Sequence, residues 1–347
     1  MRAETNYSGA CIATVAKMHA SYGRMLKKEH YQRLMSCTDV SDAAMYLKRS
    51  THYADALEGM EPATVHRGFL EELLRREYYR NYFEMGRFEK VADDEFFNFL
   101  TVKTEIDEIL MCILHINSAT DDIISTMPIY MNRYTCFDLN ELAKITDFDS
   151  LSELLKDTPY RKLLLPFRPK AGAQVDYRGA ELALRTYYFK RILSAAETFG
   201  ENELSDHICA QIDIINIINA YRLKKNFSRS KEQIISAMIP IYNKLPRYKM
   251  EALYGARDEE EFVSILEKTS YGREAKQNGI DLSFPEQAMQ HVRYLRVKRS
   301  FAMSQSPPLS FFTYNSLCET ELKNVIRIIE GIRYKLPVTD IDQLVIV

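Results

Sequence analysis

Leu142-Ala-Lys-Ile-Thr-Asp147-Phe-Asp-Ser-Leu-Ser-Glu-Leu-Leu155-Lys-Asp-Thr158-Pro-Tyr160 is one of three copies of a single pattern in this chain. Its skeleton is Leu, Asp five residues on, Leu eight further, then Thr-x-Tyr. Leu34, Asp39, Leu47, Thr51 and Tyr53 form the first copy, and Leu253, Asp258, Leu266, Thr269 and Tyr271 the third. The only slip is one extra residue between Leu47 and Thr51. The Asp positions lie 108 and 111 residues apart. A second pattern, Glu105-Ile-Asp-Glu108, Asp213-Ile-Ile-Asn216 and Glu321-Leu-Lys-Asn324, returns after 108 residues each time. Two unrelated patterns on one beat imply a triplicated unit, and the period exceeds the roughly 20–50 residues of an ordinary solenoid. The expectation is three pseudo-symmetric lobes, about 1–110, 111–218 and 219–347.

Within each copy the Asp stands just before a helical run, where a short acceptor caps free N–H groups and negative charge suits the helix dipole. The Thr fits a second cap, and in Thr158-Pro159 the proline takes the first helical position, where its missing N–H costs nothing. The motif therefore predicts two short helices joined by a capped turn, with Leu and Tyr packed between them; none of its residues is a nucleophile or base. The acid-x-x-Asn pattern lies inside apolar helical runs such as Ile212 to Ala220. A polar residue at the same place in three helices faces a shared interior or a partner, or else lies on a solvated helix edge. Apolar residues at Tyr7, Cys11, Val15, Met18, Tyr22 and Met25 predict an opening amphipathic helix, and Leu322, Val325, Ile329, Ile332 and Leu336 a closing one stopped by Pro337. Loops are expected at Pro166–Gly172 and at Ser306-Pro307-Pro308. If the two terminal helices meet, three lobes close around an axis as a ring or funnel.

Only 12 glycines and 11 prolines occur in 347 residues, which favours long helices over turns and gives an all-α fold. Lys and Arg number 46 against 48 Asp and Glu, so no basic excess argues for nucleic acid. Six scattered cysteines (Cys11, Cys37, Cys112, Cys136, Cys209, Cys318) form no Cys-x-x-Cys pair and read as reduced thiols of a cytoplasmic protein. Met1-Arg-Ala-Glu4 is followed by no apolar core, so no secretion signal is expected. The longest apolar run, Ile109 to Leu114, is far short of the roughly 20 residues a bilayer span needs. Phosphate-loop, dinucleotide, zinc and serine-hydrolase motifs are all absent from the sequence. Asp93-Asp94 and Asp121-Asp122 could hold a diphosphate through magnesium, but neither has a third carboxylate four positions after its first acid. No catalytic residue, cofactor or metal site is assigned.

The segment from Pro308 through Glu321-Leu-Lys-Asn324 to Glu330 resembles the closing helix of one component of the V-type and archaeal A-type ATPases, the one named C in prokaryotes and d in eukaryotes. Asp213-Ile-Ile-Asn216, followed by Arg222-Leu-Lys224, is similar to that family's central helix, and Asn6-Tyr7, Tyr22-Gly-Arg24, Leu34 and Thr51-x-Tyr53 to its first repeat. The likeness spans essentially the whole chain. Glu108 in place of Asn and Glu321 in place of Asp depart from the family pattern, which puts in doubt a shared role for the three Asn-type positions.

The resemblance implies a helical funnel of three lobes and no active-site chemistry. It implies a rotor adaptor that joins the central-stalk subunits of a rotary ATPase to the membrane proteolipid ring and carries torque between ATP turnover and H+ or Na+ translocation. It further implies a single copy per complex, a monomer in isolation, and a cytoplasmic position peripheral to the membrane. Lys27-Lys28 and Arg75-Arg76 are either docking charges or solvated helix faces. The alternatives are a helical scaffold of another assembly and, further off, an all-helical enzyme.

Overall fold

The computed structural model describes residues 9–88, 96–118, 127–170, 173–199, 202–242 and 244–347. Among them every regular element is an α-helix or a short 3-10 turn, and there is no strand. Tyr7, the Cys11 side chain, Asp93-Asp94, Asp121-Asp122 and the end of the Pro166–Gly172 loop lie outside the described residues. The chain divides into two compact units: 1–92 together with 287–347, and 93–286.

In the first unit the helix Pro307–Arg333 is the spine, with Gly9–Tyr22, Lys28–Met35, Val40–Ser50, Arg67–Phe88 and Val338–Leu344 packed on it. The opening and closing long helices therefore meet. Leu322, Val325, Ile329 and Ile332 are buried as their spacing predicts, and Ile326 and Ile328 are buried as well. The spine is thus apolar over more than one stripe, as a helix surrounded by neighbours must be. Two expectations change here. Leu336 is not part of the stripe: the helix ends at Arg333, where Lys335 turns left-handed at φ 55° and the Lys335 and Leu336 N–H groups donate to the Ile332 and Gly331 carbonyls. Pro337 instead precedes Val338–Leu344. Pro307 and Pro308 begin the spine instead of forming a loop; Ser306 caps it, accepting from the Leu309 N–H at 3.3 Å, and proline costs least where no helical N–H is required. On the opening helix the deepest residues are Thr14, Met18 and Ser21, one position off the apolar stripe at Val15 and Tyr22, which are half-buried.

In the second unit Phe99–Ser118 packs on Tyr177–Thr198, which packs in turn on Asn202–Phe227. Short helices fill around these. Pro159–Leu164 lies on Tyr177–Thr198, while Arg247–Tyr254 and Glu259–Glu267 lie on Asn202–Phe227.

The three motif copies share their local geometry. Asp39, Asp147 and Asp258 each cap a helix, accepting from the N–H of Asp42, Ser150 and Glu261 at 2.8 Å. The Thr hydroxyl donates to the carbonyl of the second motif Leu in every copy: Thr51 to Leu47 at 2.6 Å, Thr158 to Leu155 at 2.8 Å, Thr269 to Leu266 at 2.6 Å. Only Thr269 also works as the expected second cap, accepting from the Gly272 N–H at 3.0 Å. Thr158 occupies the cap position without such a bond. Thr51 ends its helix and is followed by a 3-10 turn, Asp55–Leu57, in place of a second α-helix. The motif leucines Leu34, Leu47, Leu142, Leu155, Leu253 and Leu266 are all buried.

Candidate functional site

The two repeated patterns meet in space. Tyr160 donates its hydroxyl to Glu105 Oε2 at 2.5 Å, and the Cys136 N–H donates to Oε1 of the same carboxyl at 2.6 Å. Tyr271 and the Leu245 N–H both donate to Asp213 Oδ2 at 2.9 Å. Tyr53 donates to Glu321 Oε1 at 3.0 Å, and the Leu26 N–H to Oε2 at 2.5 Å. Each clasp is one helix-borne acid, one motif tyrosine and one backbone N–H that lies two or three residues before a short helix. Each acid holds the tyrosine of the next copy along the chain, and the last acid, Glu321, holds that of the first. The repeat is therefore cyclic in its bonding.

All three acids are buried, so the acid-x-x-Asn pattern faces an interior and not a solvated edge. Burial and the adjacent carboxylates push the Tyr53 and Tyr160 phenols well above their ordinary range. Burial also pushes the Glu321 carboxyl up to about 7, against the pull of the Leu26 N–H and the Tyr53 hydroxyl. An acid held by a tyrosine and a main-chain N–H is positioned as an anchor for two segments.

Asn216 and Asn324 make a second shared contact. The Asn216 side chain accepts from the Ile239 N–H at 3.0 Å and donates to the Ile239 carbonyl at 2.9 Å. Asn324 does the same to Ile346, at 3.0 and 2.7 Å. Glu108, which replaces Asn in the first copy, is half-buried. Arg222 is exposed and forms a two-pronged ion pair with Glu286, 2.9 Å from Nε to Oε2. Lys224 donates to the Ala256 carbonyl. Lys27, Lys28, Arg75 and Arg76 are exposed.

The sequence did not expose the backbone partners of the acids, which carry no side-chain signature. It also did not expose His52, whose Nε2 lies 3.0 Å from Glu321 Oε1. A signal existed there: between the motif Thr and Tyr the three copies carry His52, Pro159 and Ser270. Among the described residues no group of His, Cys, Asp and Glu is placed to hold a metal ion, and no helix is long and apolar enough to cross a membrane. Cys37, Cys112 and Cys209 are buried free thiols, whereas Cys136 is exposed.

A family model described as ATP synthase (C/AC39) subunit matches residues 14–344. The C subunit of the A-type ATP synthase of Methanosarcina mazei is 25% identical over 285 residues, covering 78% of this chain and 72% of the relative. The protein of the same name from Methanosphaera stadtmanae is 27% identical over 135 residues, 37% of this chain and 35% of the relative.

Proposed function

Because the chain belongs to the ATP synthase (C/AC39) subunit family, we propose that it is the non-catalytic rotor adaptor of a V/A-type rotary ATPase. It joins the central-stalk subunits to the membrane proteolipid ring, as a single copy on the cytoplasmic face, and transmits torque between ATP turnover and H+ or Na+ movement. The observation that carries this reading is the family match over residues 14–344, nearly the whole chain. The clasps support it physically. A part that transmits torque must resist shear between its segments, and each clasp ties a long helix to a distant segment through two hydrogen bonds to one buried acid. A hydrogen bond inside a protein contributes about 0.5–1.5 kcal/mol, and about 1.5–3 kcal/mol where its partner is ionised. The proposal includes three lobes, about 1–110, 111–218 and 219–347, set around one axis that receives the stalk. Tagged chain should co-purify with both the central-stalk subunits and the proteolipid ring of the parent organism, and by itself should hydrolyse no ATP. Failure to retain either partner, or robust turnover by the isolated chain, refutes the reading.

A further inference from the structure

One of the three clasps holds a second titratable group. His52 Nε2 lies 3.0 Å from Glu321 Oε1, the oxygen that also accepts from Tyr53, while Oε2 accepts from the Leu26 N–H. The corresponding positions in the other copies, Pro159 and Ser270, carry no titratable side chain. The Glu321 side chain is only 4% exposed and that of His52 26%. Arg24 and His30 face the imidazole. Tyr31, Tyr53 and Tyr294 face the carboxyl from three other segments, and Cys318 from its own helix. Burial keeps these phenols and the thiol neutral. Arg24 is the fixed charge beside the pair.

We propose that His52 and Glu321 hold one proton between them, and that His52 is a positioning residue that keeps closure of this clasp independent of pH. A carboxyl moved from water into the interior favours its neutral form, and so does an imidazole placed beside Arg24. Side by side, one group can keep the proton that the other gives up. Burial raises Glu321 from 4.5 to about 7, while burial, Arg24 and His30 lower His52 from 6.5 to about 4. In the unfolded chain the carboxyl is ionised above 4.5 and the imidazole stays charged below 6.5. Between those limits the folded and unfolded states each carry one proton at the pair, so folding neither takes up nor releases one there.

The two contributions taken singly have opposite signs. A raised Glu321 alone gives stability that is complete below 4.5 and lost as pH rises through about 7. A lowered His52 alone gives stability that is present above 6.5 and lost as pH falls through about 4. The proposal stands apart from the adaptor reading, because it concerns closure of the chain on itself.

The test is the urea unfolding equilibrium of the full chain between pH 4.5 and 6.5, for the wild type, His52→Gln and Glu321→Gln. Relative to the wild type, the folding constant of His52→Gln should fall by up to about tenfold per pH unit as pH rises, and that of Glu321→Gln should rise by up to about tenfold per unit. Ratios that stay within twofold across the range, or that slope the same way, overturn the proposal. Wild-type chain labelled with 13C at the Glu321 carboxyl and the His52 ring supplies a readout that needs no variant. At pH 5.5 the two chemical shifts should together account for one bound proton, and a total of none or two overturns the sharing.

Discussion

Removing the Tyr271 hydroxyl isolates the worth of one clasp. Tyr271 and Asp213 are both fully buried, and the hydroxyl donates to Oδ2 at 2.9 Å. Tyr271→Phe keeps the ring in place and leaves no void larger than an oxygen atom, so the loss is the hydrogen bond itself. A buried carboxylate that loses one donor forfeits about 1.5–3 kcal/mol. The expected cost is about 2 kcal/mol, close to a thirtyfold change in the folding constant. With a urea slope of about 1–3 kcal/mol per molar, the midpoint should drop by about 1 M with the slope unchanged. Tyr248→Phe is the matched control, since Tyr248 is 68% exposed and should shift nothing. Asp213→Ala, which removes both acceptor oxygens, completes a double-mutant cycle in which the coupling between 213 and 271 should be about 1–3 kcal/mol. A Tyr271→Phe midpoint equal to the control, or a coupling below about 0.5 kcal/mol, would refute the view that the acid and tyrosine act as one clasp.

Other substitutions separate caps, packing and surface charge. Asp147→Ala removes the acceptor of the Ser150 N–H and should lower stability by about 1 kcal/mol, read from urea midpoints. Gly272→Ala places a Cβ 2.1 Å from the Leu266 carbonyl oxygen and 2.7 Å from the Glu267 Cα; because both atoms are backbone, the cost should reach at least about 1–3 kcal/mol, or the chain should fail to accumulate. Asn324→Ala deletes both bonds to Ile346, and hydrogen exchange should show lost protection at 345–347 with the remainder unchanged. Arg222→Ala breaks an exposed pair with Glu286 and should cost under about 1 kcal/mol, with no loss of secondary structure by circular dichroism.

Much of this was legible in the sequence because it is local. The scarcity of Gly and Pro, the 3.6-residue spacing of apolar side chains and the Asp caps all act within a turn or two of chain. The clasps were half legible. Both partners of each clasp were visible as repeated patterns, but the hydrogen bonds join residues 55, 58 and 268 positions apart, and the third donor is a main-chain N–H. Spacing alone cannot show that each acid pairs with the tyrosine of the following copy. The first copy also hid its departure. Its extra residue before Thr51 accompanies the loss of the second α-helix to a 3-10 turn. His52 was unremarkable as one of seven scattered histidines, and its carboxyl partner, Glu321, arrives from the far end of the chain. The end of the spine helix at Arg333 depends on the left-handed Lys335, a conformation lysine rarely signals in advance.

The adaptor reading is tested most directly by coupling. Rotary ATPase reconstituted into vesicles without this chain should hydrolyse ATP yet build no ion gradient, and adding the purified chain should restore ATP-driven ion uptake. Full coupling in its absence, or uptake that does not respond to its addition, would contradict the account.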